Sequence, residues 1–112
     1  MCPVACSLDV VGDRWTLLVI RDLFGGKRRY GEFLASAERI PTNILAERLK
    51  RLESAGLVAS TQYSEHPPRF EYELTDSGRG LLPVLDALAL WGETQFPGTR
   101  RPPRFERANA QT

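Results

Sequence analysis

The chain has 112 residues, 42% of them hydrophobic and 26% charged, with a formal net charge of +1. This length and composition are typical of one globular domain, and no apolar run reaches the roughly 18 residues that a membrane-spanning helix needs. The N-terminus shows no secretory pattern, and its two cysteines do not form a disulfide framework, so we expect a cytoplasmic protein without a membrane partner.

The charges are unevenly distributed along the chain. Residues 27–51 hold seven basic and three acidic side chains, a net charge of +4, whereas residues 52–96 hold two basic and seven acidic ones, a net charge of −5. Positive charge is therefore concentrated on one segment, which could face a phosphate backbone.

Two helices are predicted at the start of the chain. The first begins at Cys2-Pro3, because proline suits a first helical turn, and Gly12 ends its apolar stripe. Asp13 is the expected N-cap of the second helix, residues 14–24. The apolar positions of the two helices are Val4, Leu8 and Val11 in the first and Trp15, Leu18, Val19 and Leu23 in the second.

A helix-turn-helix is predicted next. After Gly25-Gly26 and a short basic extended segment, residues 30–37 form a small helix with Tyr30, Phe33 and Leu34 facing inward. Residues 38–41 make a tight connection, and Thr42 is the expected N-cap of the second helix of the motif. That helix buries Leu45, Leu49 and Leu52, presents Asn43, Glu47, Lys50 and Ser54 on the opposite face, and ends at Gly56. By itself this periodicity fits a solvated helix on any small α+β domain equally well.

A hairpin and a longer helix complete the prediction. Residues 58–63 and 69–74 alternate like strands, and the prolines of the intervening turn limit further pairing. Thr75 is the expected N-cap of a helix that runs to about residue 96, with a bend or irregular turn at Pro83. Residues 97–112 are predicted to be a flexible basic tail.

The last helix is too apolar to lie exposed on a small monomer. With the N-terminal helix it predicts a two-fold dimer interface; the alternative is a helix that folds back over its own domain. The predicted interface residues are Val4, Leu8, Val11, Leu81, Leu85, Leu88 and Trp91.

Four segments together resemble one known family. CPVACSLDVVGDRWTLLVIRDL, KRRYGEF, PTNILAERLKRLESAGLV and PPRFEYELTDSGRGLLPVLDALALWG are similar, in order and spacing, to the HxlR-type winged helix-turn-helix transcriptional regulators, relatives of the MarR group. The resemblance spans roughly residues 2–96, and we assign residues 1–96 to this domain. It implies an α+β, mainly helical winged helix-turn-helix with terminal dimerisation helices, and sequence-specific binding of a homodimer to double-stranded DNA at a two-fold operator.

The resemblance also implies which residues touch DNA. Asn43 could pair with adenine, and Lys50 or Arg51 with guanine or phosphate. The basic segment before the motif would hold phosphate, and the hairpin would act as the wing; each charged side chain also fits a solvated surface. We call the second helix of the motif, which would enter the DNA groove, the reading helix. The implied contacts are Thr42, Asn43, Ala46, Glu47, Lys50 and Arg51 on the reading helix, Lys27, Arg28 and Arg29 before the motif, and His66 and Arg69 on the wing.

Several members of the family respond to electrophiles, quinones or oxidants through a cysteine that Cys2 matches. A helix N-terminus favours the thiolate, the form that oxidants attack. Cys6, one turn later, is poorly placed to bridge to Cys2 in an intact helix, so a bridge between subunits is easier to form. The alternative is that Cys6 is a small buried hydrophobe and Cys2 a passive residue.

Other functions find less support. The single histidine, His66, lies in a proline-rich loop without a recognisable nucleophile, so we expect no enzymatic activity. Cys2, Cys6 and His66 lack the spacing of a zinc site, and we expect no metal or cofactor. The stronger alternative is a winged-helix protein-interaction module without operator binding, against which the basic segment argues. A small electrophile or aromatic ligand could also bind between subunits, near Trp15, Phe24 or Trp91.

Overall fold

The computed structural model describes residues 1–101, so most of the predicted tail, residues 102–112, lies outside the described residues. Six helices and one two-stranded antiparallel sheet follow one another in these residues: α1 Pro3–Val11, α2 Arg14–Phe24, α3 Tyr30–Leu34, α4 Thr42–Ser54, β1 Val58–Glu65, β2 Pro68–Leu74, α5 Asp76–Arg79 and α6 Leu82–Gln95. The predicted winged helix-turn-helix is confirmed, with α3 and α4 as the motif and the β1–β2 hairpin as the wing.

Helix α2 begins where the sequence predicts. The Asp13 carboxylate accepts a hydrogen bond from the Thr16 amide and another from the Thr16 hydroxyl, each at 2.8 Å. Thr16 is fully buried, so this N-cap is part of the packed interior. The junction between α1 and α2 is thereby fixed by one short polar side chain.

The helix-turn-helix differs from the prediction at two points. Helix α3 ends at Leu34 rather than at residue 37. Thr42 is not the N-cap of α4: Pro41 takes that position in an extended conformation, and Thr42 is the first helical residue. The φ of −63° at Pro41 would suit a helix, but its ψ of 143° is extended, so Pro41 takes the N-cap position and the boundary lies one residue earlier than predicted. Gly56, with φ of 76°, ends α4 as predicted.

The wing is longer than predicted, since only His66 and Pro67 lie between β1 and β2. Val58 pairs with Leu74 at one end and Glu65 with Pro68 at the other, with an irregularity between Gln62 and Ser64. The basic segment before α3 lies beside β2, because the Tyr72 amide donates to the Arg28 carbonyl at 2.8 Å. The sheet is therefore joined to the start of the helix-turn-helix.

The predicted C-terminal helix is two helices. Thr75 caps α5 through a 3.1 Å bond from the Gly78 amide, as expected. The helix stops after Arg79, four residues before Pro83, and Pro83 lies in the first turn of α6. Proline lacks an amide hydrogen and its ring collides with the carbonyl four residues earlier, so a continuous helix through that turn would be strained, and here the helix is broken.

The core lies between α2, α3, α4 and the base of the sheet. Its fully buried side chains include Phe33, Ile20, Leu45, Leu49 and Leu52. Tyr72 and Leu74 close it from the wing, while Phe70, which the strand alternation would place on their face of β2, is 38% exposed. In residues 1–101, no helix is both long and apolar enough to cross a membrane.

Candidate nucleic-acid interface

Helix α4 separates its side chains into two faces. Leu45, Leu49 and Leu52 are each at most 1% exposed and fix the helix on the core. The exposed residues of α4 include all six that the sequence singled out: Thr42, Asn43, Ala46, Glu47, Lys50 and Arg51. The structure therefore brings these six together on the outer surface of one rigid helix.

Arg51 is held by two carboxylates rather than projecting alone. Its guanidinium lies 2.8 Å from Glu47 Oε1 and 3.2 Å from Asp13 Oδ2. Arg48 also contacts both acids, with Nε 3.2 Å from each Asp13 oxygen. Two arginines of α4 thus share two acids, one of them from the start of α2. Lys50 takes part in no ion pair within residues 1–101.

The acids of this cluster are held in their charged form. Burial acts to raise the pKa of Asp13, but hydrogen bonds from Thr16 and Arg48 outweigh it and lower the pKa below its usual value. A hydrogen bond from Arg48, helped by one from Arg51, lowers the pKa of Glu47 against the opposing effect of burial. The two acids are therefore charged at neutral pH, and they face the guanidinium groups of two arginines.

The predicted phosphate-binding segment is also paired within the chain. Lys27 Nζ hydrogen-bonds to Ser36 Oγ and lies 4.0 Å from Asp22 Oδ1. Arg28 pairs with Glu73 of β2, and Arg29 Nε lies 3.3 Å from Glu71 Oε2. These contacts tie the start of α3 to the wing. A contact of these cations with DNA stays a prediction, and it would have to compete with their present acidic partners.

A second set of ion pairs fixes the turn of the helix-turn-helix to α2. Arg21 donates from Nη1 and Nη2 to the two oxygens of Glu38, at 2.9 and 2.8 Å. This bidentate pair lowers the pKa of Glu38 to about 2, against the opposing effect of burial, and raises that of Arg21. Ser36 donates to Asp22 at 2.6 Å beside it. The orientation of α4 therefore depends on charged contacts as well as on its leucines.

The wing carries the remaining predicted contacts. His66 is at its exposed tip, and Arg69 is exposed on β2 with no ion pair in the described part of the chain. Arg69 lines a cavity of about 480 Å³ between the wing and α3, where the Arg29 guanidinium lies 3.9 Å from the centre of the Tyr63 ring. On the cavity wall, burial and a hydrogen bond with Tyr30 raise the pKa of Tyr72 to about 12.

Two features escaped the sequence analysis. Asp13 was expected only to cap α2, yet it also holds Arg48 and Arg51 across more than thirty residues of chain, and no local pattern signals such a contact. Arg39 was counted among the basic residues without a role. It lies exposed in the turn before α4 with a left-handed φ of 58°. The only indication in the sequence was its type and place: a basic residue in the connection that leads into the reading helix.

The N-terminal residues provide two free thiols. Cys2 is exposed and is the N-cap of α1, and its carbonyl accepts from the Cys6 amide at 3.0 Å. Cys6 is half-buried. Among residues 1–101, no three histidine, cysteine or acidic side chains are grouped so that they could hold a metal ion.

The predicted interface residues divide into two groups. Val11 and Leu85 are each 7% exposed and belong to the core of the chain itself, and Leu81 is half-buried against it. The four that remain exposed are Val4, Leu8, Leu88 and Trp91. Helices α1 and α6 thus carry an apolar surface, to which Val84, Leu90 and Phe96 add. The dimer stays a prediction.

The aromatic residues proposed for a ligand are dispersed. Trp15 lines a pocket of only about 10 Å³, too small for more than a water molecule. Trp91 packs edge-on against Phe96 with 6.1 Å between ring centres. Phe24 lines a separate cavity beside Lys27 and Arg28.

Comparison with known proteins gives consistent matches. The model of the HxlR-like helix-turn-helix family matches residues 10–100. An HTH-type transcriptional regulator of Mycobacterium tuberculosis is 42% identical over 100 residues, which cover 89% of this chain and 63% of that protein. One from Methanothermobacter thermautotrophicus is 39% identical over 93 residues, 83% of this chain and 71% of its own length. The chain thus spans less than two thirds of the mycobacterial relative.

Solved structures agree with the sequence matches. The redox regulator HypR in its reduced form superposes with a TM-score of 0.77 at 34% identity, covering 86% of this chain and 95% of HypR. The reduced form of the transcriptional regulator YodB from Bacillus subtilis gives a TM-score of 0.69 at 33% identity, covering 88% of this chain and 96% of YodB.

Proposed function

Because the chain belongs to the HxlR-like helix-turn-helix family, whose named relatives are transcriptional regulators and not enzymes, we propose that it regulates transcription as a homodimer bound to a two-fold DNA operator. In this proposal α4 enters the major groove and the wing lies against the neighbouring backbone. The regulator acts in the cytoplasm, where its DNA target is found.

One observation carries the proposal: α4 has a continuous exposed polar face directly opposite three buried leucines. Asn43 and Lys50 lie on that face without ion pairs or side-chain hydrogen bonds in the described residues, so both are available to base edges or phosphates. The buried leucines hold the helix rigidly, as base readout requires.

Selection from a random-sequence duplex library tests operator binding without knowledge of the target. We expect a two-fold consensus with half-sites about one helical turn apart, and an affinity that falls steeply as salt rises. Asn43→Ala should lose preference at one base position of each half-site while keeping the wild-type melting temperature. Failure to enrich any sequence would favour a protein-interaction module instead.

The proposed dimer uses the exposed apolar surface of α1 and α6. Leu88 and Trp91 lie 48% and 60% exposed there, more apolar surface than a small monomer usually leaves in water. Leu88→Asp should yield a monomer in sedimentation measurements, while Thr61→Asp on the exposed side of β1 should leave the dimer intact. A wild-type chain that sediments as a monomer at micromolar concentration contradicts the dimer.

We also propose a thiol response at Cys2. Its thiol is exposed at the start of α1, and HypR, which shares this fold, is named as a redox regulator. Diamide would take two electrons and two protons from the Cys2 thiols of two protomers, which then form one disulfide. Operator binding should change on diamide treatment in the wild type and in Cys6→Ser, but not in Cys2→Ser.

A further inference from the structure

Arg39 occupies a backbone conformation that arginine rarely adopts. Its φ of 58° is left-handed, and among the non-glycine residues of the described chain it alone has a positive φ. The Arg39 amide donates to the Ser36 carbonyl at 3.0 Å, so the conformation is part of the hydrogen-bonded turn between α3 and α4. Glycine adopts this conformation without the steric cost of a Cβ, so the backbone alone favours glycine here.

The Arg39 side chain is exposed and makes no ion pair or side-chain hydrogen bond within residues 1–101. Its acidic neighbour is not available, because both oxygens of Glu38 accept from Arg21. The other arginines of the basic segment all have acidic partners inside the chain: Arg28, Arg29, Arg48 and Arg51. Arg39 is therefore an uncompensated guanidinium in a segment where such charges are otherwise neutralised.

Its position is next to the reading helix. Arg39 and Thr42 are three positions apart in sequence, so their Cα atoms are at most about 11 Å apart. Ile40, 8% exposed, anchors the turn in the core, and Arg21 fixes Glu38 on the other side. The guanidinium thus projects from a backbone that is held on both sides.

We propose that Arg39 binds a phosphate of the DNA backbone beside the start of α4, and that this contact is the reason for an arginine at a position where glycine would fit better. The inference rests on the proposed DNA-binding function and assigns a further contact residue to it. Phosphate contacts of this kind set the register of a reading helix without reading sequence themselves.

The test uses variants that separate the effect of the left-handed backbone conformation from the effect of the side-chain charge. Arg39→Gly and Arg39→Asn both suit a left-handed φ and remove the charge, whereas Arg39→Lys keeps the charge at the same φ. Each full-length variant is titrated against a labelled mixed-sequence duplex from about 50 to about 200 mM salt, because non-specific binding depends on phosphate contacts alone. Thermal melting is recorded in parallel.

The expected result combines weaker binding with undiminished stability. Arg39→Gly and Arg39→Asn should bind about threefold more weakly or worse at the lowest salt, with a salt slope shallower by about one per protomer. Arg39→Gly should melt no lower than wild type, and Arg39→Lys should keep the wild-type slope. A purely structural role for Arg39 predicts the opposite order, with lower melting and an unchanged slope.

Two results overturn the inference and can be told apart. Unchanged affinity and slope in Arg39→Gly and Arg39→Asn, beside normal wild-type binding, reject the phosphate contact alone. Absence of salt-dependent binding by the wild type rejects the proposed DNA-binding function and the contact with it.

Discussion

Arg48 in the middle of α4 donates from Nε to both carboxylate oxygens of Asp13, at 3.2 Å each. Asp13 is at the same time the N-cap of α2, so one carboxylate holds the start of one helix and the side of another. Arg48 keeps only 19% of its side chain exposed and is poorly placed to exchange Asp13 for water. Asp13 therefore contributes to the relative placement of α2 and α4, beside the buried leucines of α4 and the Arg21–Glu38 ion pair.

Asp13→Ala should lower the free energy of unfolding by about 2–3 kcal/mol, because it removes an N-cap and leaves the half-buried Arg48 side chain with one acid fewer. Urea unfolding measures the loss. Asp9→Ala is the matched control, since the Asp9 side chain lies exposed on α1 and makes no hydrogen bond or ion pair within the described residues; it should change stability by less than about 0.5 kcal/mol. Equal effects of the two substitutions would show that the Asp13 contacts do not contribute to stability.

Stability should also depend on pH through Glu38. The pKa of Glu38 is about 2 in the folded chain and 4.5 for the free side chain, so the unfolded state binds the proton more readily. The Arg21–Glu38 pair therefore stabilises the fold above pH 4.5, and this contribution is lost as pH falls toward 2. After allowance for solvent screening we expect a loss of about 1–2 kcal/mol over that window.

Glu38→Gln should remove this part of the pH dependence. Unfolding curves of wild type and variant differ at pH 6 and converge as pH approaches 2 if Glu38 is the group concerned. Glu65→Gln at the wing is the control, because Glu65 is exposed and has no ion pair in the described residues. A constant difference between wild type and Glu38→Gln at every pH would contradict the assignment.

The sequence predicts the ends of the helices well where proline, glycine or a capping residue sets them locally. Pro3 and Gly12 bound α1, Asp13 caps α2, and Gly56 ends α4, each by a backbone preference that acts within a few residues. The break before α6 is also a local effect of proline. It appears four residues ahead of Pro83, because the proline ring would collide with the backbone carbonyl of Arg79 in a continuous helix.

The candidate site is less predictable, because its charges are set by partners distant in sequence. The sequence around Arg28 and Arg29 does not predict the ion pairs that these residues make. Only the register of the wing places Glu73 and Glu71 beside them. The left-handed backbone of Arg39 likewise has no sequence signature, since arginine shows no preference for it. Residue types could be assigned to a surface from the sequence, but their pairing could not.

Gly78 is required by a close backbone approach. A Cβ at this position would lie 2.1 Å from the Leu57 carbonyl oxygen and 2.9 Å from Leu74 Cδ2. Gly78→Ala should therefore lower the free energy of unfolding by about 2–3 kcal/mol, since backbone cannot yield as a side chain does. Gly31→Ala is the control: a Cβ there meets nothing within 4 Å, and the gain in helix propensity should keep stability at or above wild type. Chemical denaturation measures the free energy of unfolding of both variants. An unchanged value for Gly78→Ala would contradict the close packing of α5 on the wing.

Removal of the acidic partner of Arg28 should strengthen DNA binding if this arginine contacts the phosphate backbone of DNA. Glu73 neutralises Arg28, and both side chains are at least half exposed, so their pair contributes little to stability. Glu73→Gln should leave melting unchanged but raise affinity for a mixed-sequence duplex about threefold at low salt, because Arg28 gains a phosphate without losing a carboxylate. Asp9→Asn makes the same change in net charge on α1, distant in sequence from the reading helix, and measures the general effect of charge. An equal gain in both variants would mean that Arg28 does not contact DNA, whereas a gain confined to Glu73→Gln would place the basic segment at the phosphate backbone.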